Sequence, residues 1–311
     1  MSTTQIDFLK YRPLFYALSG LLFALFIGGA IYKYNTNGSV FMYNVDFTGG
    51  TQAIMGFSQK GSKGPDGKEL PRKVSGEEVQ RILSPKNAEG VTTREFSDHE
   101  ILVRVKNVET DPKGLADRFR EYLEAALPDT HVTILETNSV GSGVGGELKQ
   151  NAVWFVTLSL ILMLLYIWFR FRSFAFAMGA FVSLFHDAIA ILTFVIWFDY
   201  EISLNILAAI LFVLGYSIHD TIVVFSRIRE HLFRHEQRTP DEVANLSINE
   251  TLRRTLLTSF ATALTVVALL IFGGEVLRTL SLALLIGIIF GTYSSIYIAT
   301  PVMLLLYREK K

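Results

Sequence analysis

Cysteine is absent from all 311 residues. That excludes disulfides, thiolate metal sites and thiol nucleophiles, and it leaves the redox compartment open. Charge is scarce: 19% of residues are Asp, Glu, Lys or Arg, against about a quarter in an ordinary soluble domain. Neither sign dominates, with 29 basic and 29 acidic residues, so no basic surface argues for a nucleic-acid partner. The sequence also lacks a Gly-rich nucleotide-binding loop, a GxSxG nucleophile turn and an HExxH helix. The residues therefore name no cofactor and no enzyme chemistry. Energy for any transport must come from an ion gradient or from another protein.

What the chain has instead is apolar length. Half of its residues are hydrophobic, and they gather in runs long enough to cross a bilayer, which takes about 20 mostly apolar residues. Six such runs stand at Leu14–Tyr32, Ala152–Phe169, Phe174–Phe198, Ile202–Phe225, Leu256–Phe272 and Leu280–Tyr307. The first follows Lys10 and Arg12 but exceeds the ~7–15 residues of a signal-peptide core, so it reads as an uncleaved anchor. If the spans alternate, Lys10, Arg12, Arg170, Arg172, Arg227, Arg229, Arg234, Arg238, Arg253, Arg254, Arg308, Lys310 and Lys311 all fall on one side. The positive-inside rule makes that side cytoplasmic, with both termini.

The expected fold is an α-helical polytopic membrane protein of six helices with an α+β domain between the first and second. Residues 1–32 hold the N-terminus and span one, 33–150 the extracytoplasmic domain, and 151–311 the five-helix membrane domain. Within the insert, Thr51–Phe57, Val91–Ser97, Glu100–Lys106 and His131–Glu136 read as strands, the middle two as a hairpin around Asp98-His99. Ser75 with Glu78 has capping-box spacing for a helix presenting Val79, Ile82 and Leu83. Leu115–Leu127 carries Leu115, Phe119, Tyr122, Leu123 and Ala126 on one face and stops at Pro128. The order βαββαβ is the ferredoxin-like split arrangement. Lys60–Lys73 reads as a Gly/Pro/Lys loop, and the glycines of Ser139–Gly146 as a flexible link.

Ionisable residues inside spans cost about 2.5–3.5 kcal/mol on insertion scales. Span three contains His186-Asp187 and span four His219-Asp220. Three readings compete. The doublets can be polar contacts that lock helices together. A desolvated carboxylate can instead cycle between charged and neutral forms as a proton or ion relay. Two His-Asp pairs also resemble a metal ligand set, although neighbours on a helix point about 100° apart and cannot easily share one ion. Span five favours the relay: Thr255, Thr258, Ser259, Thr262 and Thr265 recur at three- and four-residue steps. Arg253 and Arg254 stand at the mouth of that stripe, as positive-inside anchors or as counter-charges to Asp220. Span six has Gly287 and Gly291 at GxxxG spacing, then Thr292, Ser294 and Ser295, a pattern of close helix contact. Pro301 is expected to kink it. The segment Arg227–Arg254, with Leu232, Phe233, Val243, Leu246 and Ile248, is expected to lie on the membrane as an amphipathic helix.

Three motifs carry a resemblance over nearly the whole chain: Val45-Asp46-Phe47-Thr48-Gly49-Gly50-Thr51, YSIHDTIVVFSRIRE at Tyr216–Glu230, and INETLRRTLLTSFAT at Ile248–Thr262. With them the chain resembles the SecF family, membrane subunits of the bacterial Sec protein-export machinery related to RND transporters. The resemblance implies a non-enzymatic subunit in the cytoplasmic membrane. It would pair with SecD beside the SecYEG channel and SecA, contact the translocating polypeptide, and use the proton motive force to promote translocation. It implies proton passage at Asp220, with Arg254 as the basic residue before span five. Asp187, His219, Thr258 and Thr262 join them as coupling candidates. Asp46, Gly49 and Gly50 match the family's Asp-Phe-Thr-Gly-Gly turn. The sequence departs from the family at His219, Ser226 and Ser142, where Asn, Asp and Pro are usual. A small RND-like exporter of lipid or drug is the alternative function. An intramembrane aspartyl protease built on Asp187 and Asp220 is a third class without a supporting motif.

Overall fold

The computed structural model describes residues 6–63, 69–86, 90–97, 99–106, 111–234 and 238–307. In chain order its elements are α1 (Arg12–Asn37), α2 (Val45–Thr48), β1 (Gly50–Lys63), β2 (Glu69–Pro71), α3 (Gly76–Leu83), β3 (Val91–Ser97), β4 (Glu100–Val105), α4 (Pro112–Ala126), β5 (Thr130–Val140), α5 (Ser142–Phe171), α6 (Phe174–Trp197), α7 (Leu204–Phe233), α8 (Pro240–Phe272), α9 (Gly274–Ser294) and α10 (Thr300–Leu306). They form two units, one of residues 1–42 with 152–311 and one of residues 43–151.

Six helices among the described residues are long and apolar enough to cross a membrane. They are far from equivalent. Most of α6 is buried inside the helical unit, while α5 and α8 are mainly exposed. The α6 sequence reads Ala175, Ala177, Gly179, Ala180, Ser183 on its buried side, and such small residues let helix backbones approach. Glycine does the same elsewhere. A Cβ built at Gly179 would stand 2.5 Å from the Ala299 carbonyl, and one at Gly287 2.2 Å from Val213 Cγ2. A Cβ at Gly291 would stand 3.1 Å from Ser217 Cβ, a tight contact. So α9 lies against α7, and the chain after α9 against α6, closer than any side chain would permit.

The helix ends are locally specified. Ser203 Oγ accepts from the Ile206 amide at the start of α7. Thr239 and Glu242 form a reciprocal capping box at α8, with Pro240 in the first turn. Pro301 has no N–H to give, and the turn before it widens into a π-helical stretch, Ser295–Ala299. Thr300 Oγ1 donates to the Ser295 carbonyl across that turn (3.1 Å).

In the second unit β1 is central. It pairs antiparallel with β4 on one side and β5 on the other, and β3 extends the sheet from β4. The four strands run β5-β1-β4-β3, and β2 adds a short pairing to the far half of β1. Side chains alternate along a strand. Ala53, Met55 and Phe57 of β1 therefore face the same core as Val103 and Val105, together with Val79 and Leu83 of α3 and Leu115, Phe119 and Leu123 of α4. Ser75 caps α3 by accepting from the Glu78 amide (3.2 Å).

Several expectations need correction. β1 runs on to Lys63, and part of the expected Lys60–Lys73 loop is the β1–β2 pairing, secured by Ser58 Oγ donating to Glu69 (2.7 Å). The middle of that loop, the Asp98 of the hairpin turn, and Arg308, Lys310 and Lys311 lie outside the described residues. The expected link Ser139–Gly146 is mostly regular structure: β5 pairs with β1 up to Gly50↔Val140, and α5 begins at Ser142. A Cβ on Gly145 would stand 2.8 Å from the Gly49 amide, so that glycine serves packing. On α4, Tyr122 and Ala126 face outward; Ala116 and Leu127 hold the buried places. Among the described residues no separate surface helix lies between Arg227 and Arg254: residues 227–233 extend α7 and 240–254 open α8, with Val243 and Ile248 buried in the helical core. Charge had masked the helix there, although helices need not stop where a bilayer does.

Glu136 of β5 lies opposite Ile54. Burial pushes its carboxyl above the ordinary value of 4.5, and the charge of Asp46 adds to this. A carboxyl raised in the folded state contributes stability below its unfolded pKa and loses it as pH rises through the folded one. The β1–β5 amides should therefore exchange hydrogen more slowly just above pH 4.5 than at neutral pH, after correction for intrinsic rates. Glu136→Gln should remove that difference; a difference that persists in this variant would assign it elsewhere.

Candidate functional site

Asp187 sits on α6 with no exposed surface. Its Oδ2 accepts two hydroxyls, from Ser217 on α7 (2.6 Å) and Ser294 on α9 (2.9 Å). Ser183, one turn earlier on α6, donates to Ser294 (2.9 Å). Oδ1 lies 3.2 Å from His186 Nδ1. The far side of that imidazole, Nε2, is 2.6 Å from the Tyr293 hydroxyl and 3.2 Å from Ser19 Oγ on α1. One polar cluster thus joins four membrane-spanning helices inside an apolar bundle.

Asp220 is on α7 and is 1% exposed. Its Oδ2 accepts from Ser259 Oγ on α8 (3.2 Å). Ser259 in turn is met by Thr292 of α9 (2.8 Å) and Tyr216 of α7 (3.4 Å). His219 Nδ1 lies 3.6 Å from Asp220 Oδ1, and its side chain is 56% exposed. Arg254 is exposed and close enough for its charge to act on Asp220, yet among the described residues no ion pair joins the two.

Of the expected stripe on α8, only Ser259 reaches the carboxylate. Thr258 and Thr262 donate to carbonyls of their own helix, Arg254 (3.1 Å) and Thr258 (2.9 Å). A hydroxyl in a helix can always satisfy itself on the preceding turn, so spacing alone does not tell a lining group from a self-bonded one. Asp187 and Asp220 have separate hydroxyl partners. Among the described residues no group of three or more His, Asp or Glu could hold a metal ion.

Asp46 lies in the sheet unit. Asn44 Nδ2 donates to its Oδ2 (2.8 Å) and Asn138 Nδ2 to its Oδ1 (3.1 Å). Gly49 and Gly50 have φ of 74° and 112°, values that favour glycine. A Cβ on Gly50 would also stand 2.6 Å from the Val105 carbonyl.

Sequence reasoning missed Ser19, Ser183, Ser217 and Tyr293, and it noted Ser294 only as a packing residue. Their one signal is a hydroxyl inside an apolar run, which is common and unspecific. Their value comes from convergence on His186-Asp187, and that is tertiary.

The profile described as "Protein export membrane protein SecD/SecF, C-terminal" matches residues 121–309. The chain belongs to the SecD/SecF family. It is 36% identical over 303 residues to the protein translocase subunit SecF of Rhodothermus marinus, covering 96% of this chain and 92% of that one. The crystal structure of SecDF from Thermus thermophilus, titled a translocon-associated membrane protein, superposes with TM-score 0.77 at 33% identity. A SecDF structure titled super-membrane-facing form gives TM-score 0.63 at 32% identity. They cover 96% and 97% of this chain, which spans only 38% of each SecDF chain. With its apolar helices, this SecD/SecF family member is a multi-pass membrane protein.

The donors on Asp187 generate a test. Ser217→Ala or Ser294→Ala alone should lower the stability of the purified chain by about 1 kcal/mol, the scale of interhelical hydrogen bonds in membranes. Together they should cost more than the sum, because the second change removes the last of these two hydroxyls from Oδ2. Unfolding in mixed micelles measures both; strict additivity would dissolve the shared role.

Proposed function

We propose that this chain is a non-enzymatic accessory subunit of the protein-export translocase. It pairs with SecD and uses the proton motive force, through Asp220, to promote passage of polypeptide across the cytoplasmic membrane beside SecYEG and SecA. The observation that carries this reading is Asp220 itself. It is a carboxylate buried in a membrane-spanning helix, hydrogen-bonded to Ser259 of the neighbouring span, with the charge of Arg254 near but not in contact. Ionisable groups in spans are costly and mark ion pathways and relays. A cation that can approach or withdraw favours the charged or the neutral carboxylate in turn. His219, Asp187, Thr258 and Thr262 belong to the same coupling region on this reading.

The span of the chain against the two SecDF structures supports the partner: the remaining length of those chains is what a SecD subunit would supply. The basic ends of the spans support cytoplasmic termini, which put the sheet unit on the outer side. Its strand order β5-β1-β4-β3, all antiparallel with two crossover helices, supports a ferredoxin-like domain. We assign to Asp46, Gly49 and Gly50 the holding of the turn that opens β1. On this reading the sheet unit is the part that moves with polypeptide, and protons at Asp220 drive it.

The test is secretion in cells carrying Asp220→Asn, with membrane level and SecD association measured in parallel. Export should fall while assembly stays intact. Unchanged export with normal expression would reduce Asp220 to a packing residue and end the coupling proposal.

A further inference from the structure

The second buried doublet is given no step of its own in the function proposed through Asp220. Its surroundings limit what it can do. His186 is 1% exposed and its ring bridges two oxygens: Asp187 Oδ1 at 3.2 Å from Nδ1 and Tyr293 Oη at 2.6 Å from Nε2. Ser19 Oγ, on α1, stands 3.2 Å from both Nε2 and Tyr293 Oη. The titratable groups facing the imidazole are Asp187 on its own helix and Tyr293 from α9. From α1 come Ser19 and the Phe23 ring, from α9 also the Phe290 ring, and from α7 Ser217, which reaches only Asp187. None of these last four carries charge.

Donors and acceptors can be counted around this cluster. When Asp187 is ionised it only accepts. The imidazole must then carry its proton on Nδ1 and accept at Nε2 from Tyr293, whose oxygen is left to accept from Ser19. Every hydrogen bond points from α1 toward the carboxylate. When Asp187 carries a proton on Oδ1 it donates to Nδ1. The imidazole proton then sits on Nε2 and points at Tyr293, and the tyrosine hydroxyl turns to Ser19. Every hydrogen bond now points toward α1. Both arrangements use the same atoms in the same places, but the second leaves the Ser19 hydroxyl proton without an acceptor inside the cluster. They differ in strength. The first ends on a full negative charge, and charge-assisted bonds are roughly twice as strong as neutral ones, with chains of them reinforcing one another.

We propose that Asp187, His186, Tyr293 and Ser19 form a reversible hydrogen-bonded wire, and that the charge on Asp187 sets how firmly α1 is held to the bundle through Ser19. Its ligand is a proton. His186 and Tyr293 are positioning residues that carry the state of the acid across the bundle to span one. The proposal deepens the reading of this chain as an ion-coupled subunit by naming a second proton-sensitive place and the helix it governs.

The natural absence of cysteine gives a clean background for the test. Leu22 is 7% exposed and lies one turn beyond Ser19 on the buried face of α1, whereas Leu18 is 46% exposed. The probe is a membrane-permeant maleimide on the full chain in native membranes. The measured quantity is the labelling rate of Leu22→Cys divided by that of Leu18→Cys, which removes the intrinsic pH dependence of thiol reactivity. As pH falls from about 9 to about 5, the ratio should rise along a one-proton curve. The rise should be about fivefold between plateaus, the scale of one hydrogen bond changing from charge-assisted to neutral. Asp187→Asn and Tyr293→Phe should each flatten the curve. Should Tyr293→Phe fail to accumulate, Ser19→Ala makes the same test from the α1 end.

A flat ratio in the unaltered background, or a curve that survives Asp187→Asn, overturns the wire. A curve that persists in Asp220→Asn supports it and separates it from the relay at that residue. The readout needs no export, so loss of the translocation reading would leave this result standing, and the reverse.

Discussion

A polar group in hydrocarbon has no water to fall back on, and most of the helical unit follows from that constraint. Each buried side-chain oxygen or nitrogen within the spans must find a partner on a neighbouring helix or on its own backbone. Asp187 takes two hydroxyls from two other helices and an imidazole from its own. Asp220 takes Ser259, which is itself held by Thr292 and Tyr216. In both cases the hydroxyls come from α7, α8 or α9. Apolar side chains in lipid have little reason to prefer one helix neighbour over another. The hydroxyls that converge on each acid do, so they specify which helices meet and at what height.

The hydroxyls can converge only because backbones come close. Gly291 stands one turn before Ser295 and against Ser217, the residue that donates to Asp187. Gly287 faces Val213 one turn along on the same pair of helices. A larger residue at Gly287 would push α9 off α7, and one at Gly291 would crowd Ser217, which with Ser294 shares one carboxylate oxygen. Small residues and buried acid are therefore one design: the glycines set the distance, and the acid gives that distance a reason to persist. The same reasoning covers Gly179 and the widened turn before Pro301, which brings Ser294 and Ser295 inward while tolerating a missing amide.

The spans and their approximate order were legible because each rests on a run of apolar residues, a one-dimensional property. The strand and helix order of the sheet unit was legible from alternation and from the Ser75–Glu78 cap. What failed did so where local composition pointed the wrong way. Glycines in Ser139–Gly146 suggested slack, yet β1 lends β5 a partner up to Val140, and Gly145 is small because a backbone lies against it. Charges between Arg227 and Arg254 suggested a surface helix, while the pattern of Val243 and Ile248 belongs to the core. At the candidate site the acids stood out, being rare in spans. Their hydroxyl partners did not, because serine and threonine in a helix are as often self-bonded, as Thr258 and Thr262 are.

The two His-Asp doublets make the last point. They are alike in sequence, and in each the histidine nitrogen Nδ1 faces the next residue's carboxylate, at 3.2 Å in one and 3.6 Å in the other. Adjacent side chains on a helix diverge by about 100°, so burying the acid leaves the histidine wherever the neighbouring surface happens to be. On α6, packed on most sides, His186 meets Tyr293 and Ser19 and is 1% exposed. On α7 the same divergence turns His219 to the outer face, 56% exposed. Both acids are buried, but the histidine beside Asp187 is enclosed by protein groups and the one beside Asp220 is exposed. A repeated sequence thus yields one closed site and one open site, and the difference comes from the depth of the helix that carries each.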